Sequence, residues 1–135
     1  MKKIFIYYSL TGNGDVVADY LKDKGYDIRK VKTSEPLPDN YILRLLTGGY
    51  KAMINYEDEL IDFDNDIKEY DEVVIGTPVW NGNLSSPINS VLKSLDLIDK
   101  KLSFILYSGS GKASKLIDNI NKKYIDADIT ILKEP

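Results

Sequence analysis

The sequence predicts an α/β fold, a parallel sheet of five strands joined by four helices. Three observations predict it. Short β-branched and aromatic runs alternate along the chain with stretches of helical periodicity, the pattern of strand–helix–strand units. The connections are long enough for right-handed helical crossovers. The three strongest runs each lead into a loop rich in Gly, Ser, Thr or Asn, which gathers those loops at one pole, beyond the carboxyl ends of the strands, where open α/β sheets take ligands.

The elements follow in order. Ile4 to Tyr8 reads as a buried strand closed by a glycine-rich loop. Val16, Val17, Tyr20 and Leu21 recur at helical spacing, with Lys24-Gly25 as the stop. Asp27 to Val31 is more polar and suits a sheet edge. After the Pro36/Pro38 loop, Ile42, Leu45, Leu46, Gly49 and Met53 fall on one apolar helix face. Val73 to Thr77 is the second buried strand, and Ser86-Pro87 reads as the N-cap and first residue of a helix carrying Ile88, Val91, Leu92 and Leu95. Leu102 to Tyr107 is a strand, Ala113, Leu116, Ile117, Ile120 and Tyr124 form a helical stripe, and Ile129 to Leu132 is the last strand. No repeat or linker divides the chain, so 1–135 is read as one domain.

Composition narrows the chemistry. The 135 residues contain no cysteine and no histidine, which removes thiolate nucleophiles, cysteine and histidine metal sites and the commonest general base. Any reaction must rest on a bound cofactor or on carboxylates, hydroxyls and lysines. With only Arg29 and Arg44 as arginines and a net charge of −3, a nucleic-acid partner is not expected. The uncharged run from Val73 to Leu92 holds two prolines and two glycines, and the apolar start is too short for a signal peptide, so no membrane partner is expected and a cytoplasmic location is.

Ser9-Leu10-Thr11-Gly12-Asn13-Gly14, between the first strand and first helix, supplies hydroxyls, flexible glycines and the free amides of a helix start, a cradle suited to a phosphate monoester. Spacing dismisses its look-alikes. Gly12-x-Gly14 lacks the third glycine of a dinucleotide fingerprint, and Gly109-Ser110-Gly111-Lys112 lacks the first glycine and the Ser/Thr of a nucleotide P-loop.

With this loop, Gly76-Thr77-Pro78-Val79-Trp80-Asn81-Gly82 and Leu45-x-x-Gly48-Gly49-Tyr50-x-Ala52, nearly the whole chain resembles a short-chain flavodoxin-like FMN protein. The resemblance implies a three-layer sandwich with strand order 2-1-3-4-5 and non-covalent FMN, its phosphate on residues 9–14. The flavin ring would then lie between the loop Thr77, Pro78, Val79, Trp80, Asn81, Gly82 and the loop Ser108, Gly109, Ser110, Gly111. Trp80 is expected to stack on or edge the ring, Tyr107 to be a half-buried strand residue, and Tyr41 and Tyr50 are alternatives at the rim. A threonine normally stands at the place of Gly14 in the phosphate signature, so one hydroxyl contact is lost and Gly14→Thr is expected to tighten binding. Gly82 would let the 81–82 peptide turn over and offer its carbonyl to the reduced flavin.

The resemblance implies a redox protein. An electron carrier serving a redox partner protein comes first; the alternatives are an oxidoreductase with a nicotinamide donor and a quinone-like acceptor, and an interaction protein that has lost FMN. Glu57 to Glu72 carries nine acidic residues against Lys68 alone, read as a solvated loop at the pole opposite the cofactor. Finally, the sequence ends at Pro135, directly after the last strand, where the resemblance implies a fifth helix. Part of one sheet face would be bare, either through Val74, Ile105 and Leu132 or through their neighbours, so a homodimer or another segment is expected to cover it.

Overall fold

The computed structural model describes residues 2–35 and 37–134, with the side chain of Tyr41 outside the description. The elements are β1 (Lys3–Tyr7), α1 (Asn13–Asp23), β2 (Asp27–Lys30), α2 (Tyr41–Met53), β3 (Glu72–Trp80), β4 (Asn83–Leu84), α3 (Ser86–Ser94), β5 (Lys101–Ser108), α4 (Ser114–Lys123) and β6 (Asp128–Lys133). Five strands pair in parallel in the order β2-β1-β3-β5-β6, which is the expected 2-1-3-4-5 with a short hairpin strand added. The fold is flavodoxin-like.

β3 and β1 lie at the centre and are buried on both faces, as their unbroken apolar runs require. One face packs Ile4, Ile6, Val73, Ile75, Phe104 and Leu106 against Ile88 and Val91 of α3 and Leu116 and Ile120 of α4. On the other face Phe5, Tyr7 and Val74 pack against Ala18 of α1, flanked by Val17 and Leu21.

Two helices turn differently from their sequence patterns. In α1 the buried positions are Gly14 and Ala18, while Val16 and Tyr20 face solvent. The helix can then lie close to the sheet. In α2 the expected apolar face points outward: Ile42, Leu45, Leu46 and Met53 are all more than half exposed, and among its described side chains the buried residues are Gly48 and Ala52. The reason is Trp80. Its ring fills the space beneath α2, so close that a Cβ on Gly48 would stand 3.4 Å from the indole. Only a small residue fits there, and the larger side chains are left outside.

β3 runs three residues beyond its expected end and turns back through Asn81-Gly82 into β4. Both turn residues have positive φ, 50° and 72°, the two-residue type I′ hairpin that Asn-Gly favours. The Asn81 carbonyl accepts from the Asn83 side chain at 2.9 Å. Turning the central peptide over would give the type II′ form, which wants glycine at the first turn position, where Asn81 stands. The structure therefore opposes the switch expected at 81–82. The N-cap of α3 is Ser85, one residue before the expected Ser86.

The acidic segment is anchored rather than free. Arg29 donates to the carbonyls of Asp64 and Asp66, and the Lys100 ammonium donates to those of Ile67, Lys68 and Tyr70. At its start Asp58 is buried, accepting from Lys51 of α2 at 2.9 Å and from the Ser86 hydroxyl at the start of α3. Asp58 thus lies next to the Trp80 hairpin, not at the far pole. On α1's side of the sheet, Val74 is buried, Ile105 half-buried and Leu132 39% exposed, with the polar Ser103 and Thr130 between them. No helix among the described residues is long and apolar enough to cross a membrane.

Candidate functional site

The ends of β1, β3 and β5 meet as expected, and a cavity of about 370 Å³ opens where they converge. Its floor at one end is the β1–α1 loop. Gly12 takes a φ of 90°, which aims the following amides inward at the helix start. The Ser9 hydroxyl oxygen accepts from the amides of both Gly12 (3.1 Å) and Gly14 (3.0 Å). Among the described residues, the amides of Leu10, Thr11 and Asn13 donate to no protein acceptor. Unpaired donors at the positive end of a helix favour an anion.

Asp15, in the first turn of α1, does not spoil this field. It accepts from the Tyr7 hydroxyl at 2.6 Å and pairs with Lys30 at 2.9 Å. The hydrogen bond from Tyr7 first, and then the one from Lys30, hold its carboxyl below the ordinary 3.8. A depressed carboxyl stabilises the fold above its unfolded value and loses that contribution as pH falls through the folded one. Urea unfolding should therefore show a stability gap between wild type and Asp15→Asn at pH 6 that closes on acidification below about pH 4. A gap independent of pH would rule out this origin.

The other walls are mostly apolar. Leu37, Leu45, Gly48 and Gly49 come from α2 and the loop before it, and Pro78, Val79, Trp80 and Asn81 from the end of β3 and the hairpin. Trp80 meets Tyr8 edge to face, centroids 5.7 Å apart, so its ring is braced on two sides. Tyr107 of β5 and Gly109 of the third loop, together with Arg44 and Glu134, complete the lining.

Among the residues singled out from sequence, Ser9, Leu10, Thr11, Asn13, Pro78, Val79, Trp80, Asn81 and Gly109 line this cavity. Gly12 and Gly14 sit behind it, their amides on Ser9. Thr77 is wholly buried, its hydroxyl shared with Ser85 at 2.7 Å. Ser108, Ser110 and Gly111 shape the third loop among themselves: the Ser108 and Ser110 hydroxyls both donate to the Lys112 carbonyl, and Gly111 holds a φ of 74°. Gly82 serves the hairpin. Tyr50 is exposed and lies off the cavity wall, and Tyr41, the other rim candidate, has its side chain outside the described residues.

Sequence reasoning missed the contributions of Arg44, Glu134 and the small face of α2. Arg44 is tethered through its Nε to the Pro38 carbonyl at 3.3 Å. Glu134, just after β6, accepts from the Asn13 side chain at 2.9 Å, so a carboxylate stands at the mouth of the anion cradle. The spacing Gly48-x-x-x-Ala52 was the available signal for a helix that buries small residues.

The family described as NADPH-dependent FMN reductase matches residues 1–129. The chain belongs to the NADPH-dependent FMN reductase family. FMN is the flavin in that family's name, and the flavodoxin-like sheet is found again in solved structures. A protein of Bacteroides eggerthii DSM 20697 superposes with a TM-score of 0.82 at 20% identity, over 99% of this chain and 89% of that one. A flavoprotein of Lactobacillus acidophilus NCFM, crystallised in complex with FMN, gives 0.75 at 20% identity over 98% and 91%. The apo form of the flavoprotein from the same organism, solved by NMR, gives 0.64 at 18% identity over 99% and 92%. At these identities the likeness is one of fold. No curated protein matches the chain significantly in sequence. For a member of the NADPH-dependent FMN reductase family, the absence of histidine and cysteine is no obstacle, because the flavin carries the redox chemistry.

Proposed function

We propose that this protein holds FMN in the cavity and works as an NAD(P)H-dependent oxidoreductase, with the hydride passed on to a small acceptor such as a quinone. Within the family we place it with the short chains that carry Gly76-Thr77-Pro78-Val79-Trp80. The observation that carries the reading is that one cavity joins a cradle of unpaired helix-start amides to an apolar slot walled by Leu37, Leu45, Val79 and Trp80. A phosphate and a flat aromatic ring on one ligand match those two halves.

The residues take distinct roles. The Leu10, Thr11 and Asn13 amides hold the phosphate, with the Thr11 hydroxyl and Asn13 side chain beside them. Trp80, Val79 and Leu45 flank the ring, while Gly109, without a side chain, lets the main chain of the third loop approach the ring edge. Bound FMN supplies two-electron chemistry, accepting hydride from a reduced nicotinamide and returning it to an acceptor.

The match to a nicotinamide-dependent family favours direct reduction over the carrier role. Anaerobic mixing of the FMN-loaded protein with NADPH decides between them. Rapid loss of the yellow colour with no second protein present supports the oxidoreductase. Colour that persists until a separate reductase is added returns the protein to the carrier role, and failure to take up FMN at all defeats both.

A further inference from the structure

Among the described residues, the Tyr107 hydroxyl is the buried side-chain polar group with no hydrogen-bond partner. Phenylalanine would fill nearly the same volume at lower cost, since an unpaired buried hydroxyl is destabilising. Its position accounts for its presence. From the end of β5 the side chain reaches under the cradle, past Gly76 of β3, where a Cβ would stand 2.3 Å from the phenolic oxygen. It ends 2.9 Å from the point that a Gly14 Cβ would occupy, at the first turn of α1. Two glycines on separate elements leave room for one hydroxyl.

Beside it, the Ser9 Cβ lies 2.8 Å from that same Gly14 point, and the Ser9 hydroxyl occupies the two convergent amides of Gly12 and Gly14. We propose that Tyr107 is a phosphate ligand: with Ser9 keeping its place on the Gly12 and Gly14 amides, the Tyr107 hydroxyl donates from beneath to an oxygen of a phosphate monoester held in the cradle. This rests on the reading of the cavity as an FMN site and adds a contact which the β1–α1 loop does not itself contain. It also gives a reason for glycine at position 14, since the hydroxyl that a side chain there would bring is delivered from β5. Burial, and then the neighbouring Tyr7 and Asp15, raise the Tyr107 pKa above its ordinary value, so the group remains a donor at neutral and mildly alkaline pH.

Tyr107→Phe tests this against three probes: FMN, riboflavin (the same ring without the phosphate) and inorganic phosphate. FMN affinity is expected to fall about tenfold or more, as for a lost hydrogen bond to a charged group. Riboflavin affinity should be unchanged, the stabilisation by inorganic phosphate reduced, and the unliganded variant no less resistant to urea than wild type. Equal losses for FMN and riboflavin, or unchanged FMN affinity, would overturn the proposal. So would an unliganded variant markedly less stable than wild type with its preference for FMN over riboflavin intact, because the hydroxyl would then serve the fold. If wild type takes phosphate but not FMN, and the variant loses the phosphate, the flavin reading fails while this one stands. If wild type takes neither, both fail.

Discussion

Asp58→Ala is expected to destabilise the protein by about 3–5 kcal/mol, the usual result of leaving one member of a buried ion pair without its partner. The Asp58 side chain is 7% exposed and that of Lys51 16%, and the carboxylate also accepts a hydrogen bond from the Ser86 hydroxyl at the start of α3. The neighbouring chain is fastened to the same helix: Ser90 donates to the Asp58 carbonyl, Asn89 to the Tyr56 carbonyl, and Lys93 pairs with Glu57. Asp58 therefore joins α2, which forms one cavity wall, to α3, which follows the Trp80 hairpin forming the other. Urea denaturation measures the loss. Replacing both charges, as Lys51→Met with Asp58→Leu, should be less damaging than Asp58→Ala alone, because no charge is then left stranded. A single variant within about 1 kcal/mol of wild type would show that the pair behaves as an exposed one.

The second large effect runs against the expectation from sequence. Gly14→Thr should weaken FMN binding and cost the fold about 1–3 kcal/mol, the range for overpacking a filled site. Even the first carbon of a side chain at position 14 would lie 2.7 Å from the Tyr7 ring, 2.8 Å from the Ser9 Cβ and 2.9 Å from the Tyr107 oxygen. Two of these neighbours are aromatic side chains that are nearly wholly buried, so the strain falls on the cradle loop and its amides. FMN titration and urea unfolding of the variant check both halves. Tighter binding by Gly14→Thr would mean that the loop yields easily and that the missing threonine is a simple deficit.

What was legible in the sequence was whatever local pattern decides. Strands buried on both faces read as near-continuous apolar runs, so β1 and β3 are plain; β5 follows from its run Phe104-Ile105-Leu106-Tyr107, and the strand order from the resemblance. Ser9 to Gly14 and the Trp80 loop were found because backbone-led binding needs glycines and small polar residues at strand ends. The rest depended on partners distant in the chain. The apolar periodicity of α2 points to the wrong face, because what lies beneath Gly48 is Trp80, more than thirty positions further along the chain. Asp58 looked like one more charge in an acidic run until Lys51 and Ser86 closed around it. The Asn81-Gly82 hairpin is a different case. Its two-residue signal suggests a peptide able to turn over, although that dipeptide between strand-forming residues is the strongest short-range sign of a tight turn. Tyr107 looked like a strand residue, and is one; that its oxygen ends beneath the cradle depends on glycines at 14 and 76.

Trp80 is the chain's single tryptophan, and the structure braces its indole between Tyr8 and Gly48 at the edge of the cavity. The protein's tryptophan fluorescence is therefore the signal of one place. Emission that would report an average over many sites in another protein here reports the occupancy and wetness of this cavity alone, so ligand arrival can be followed without a label, even for ligands that have no colour of their own.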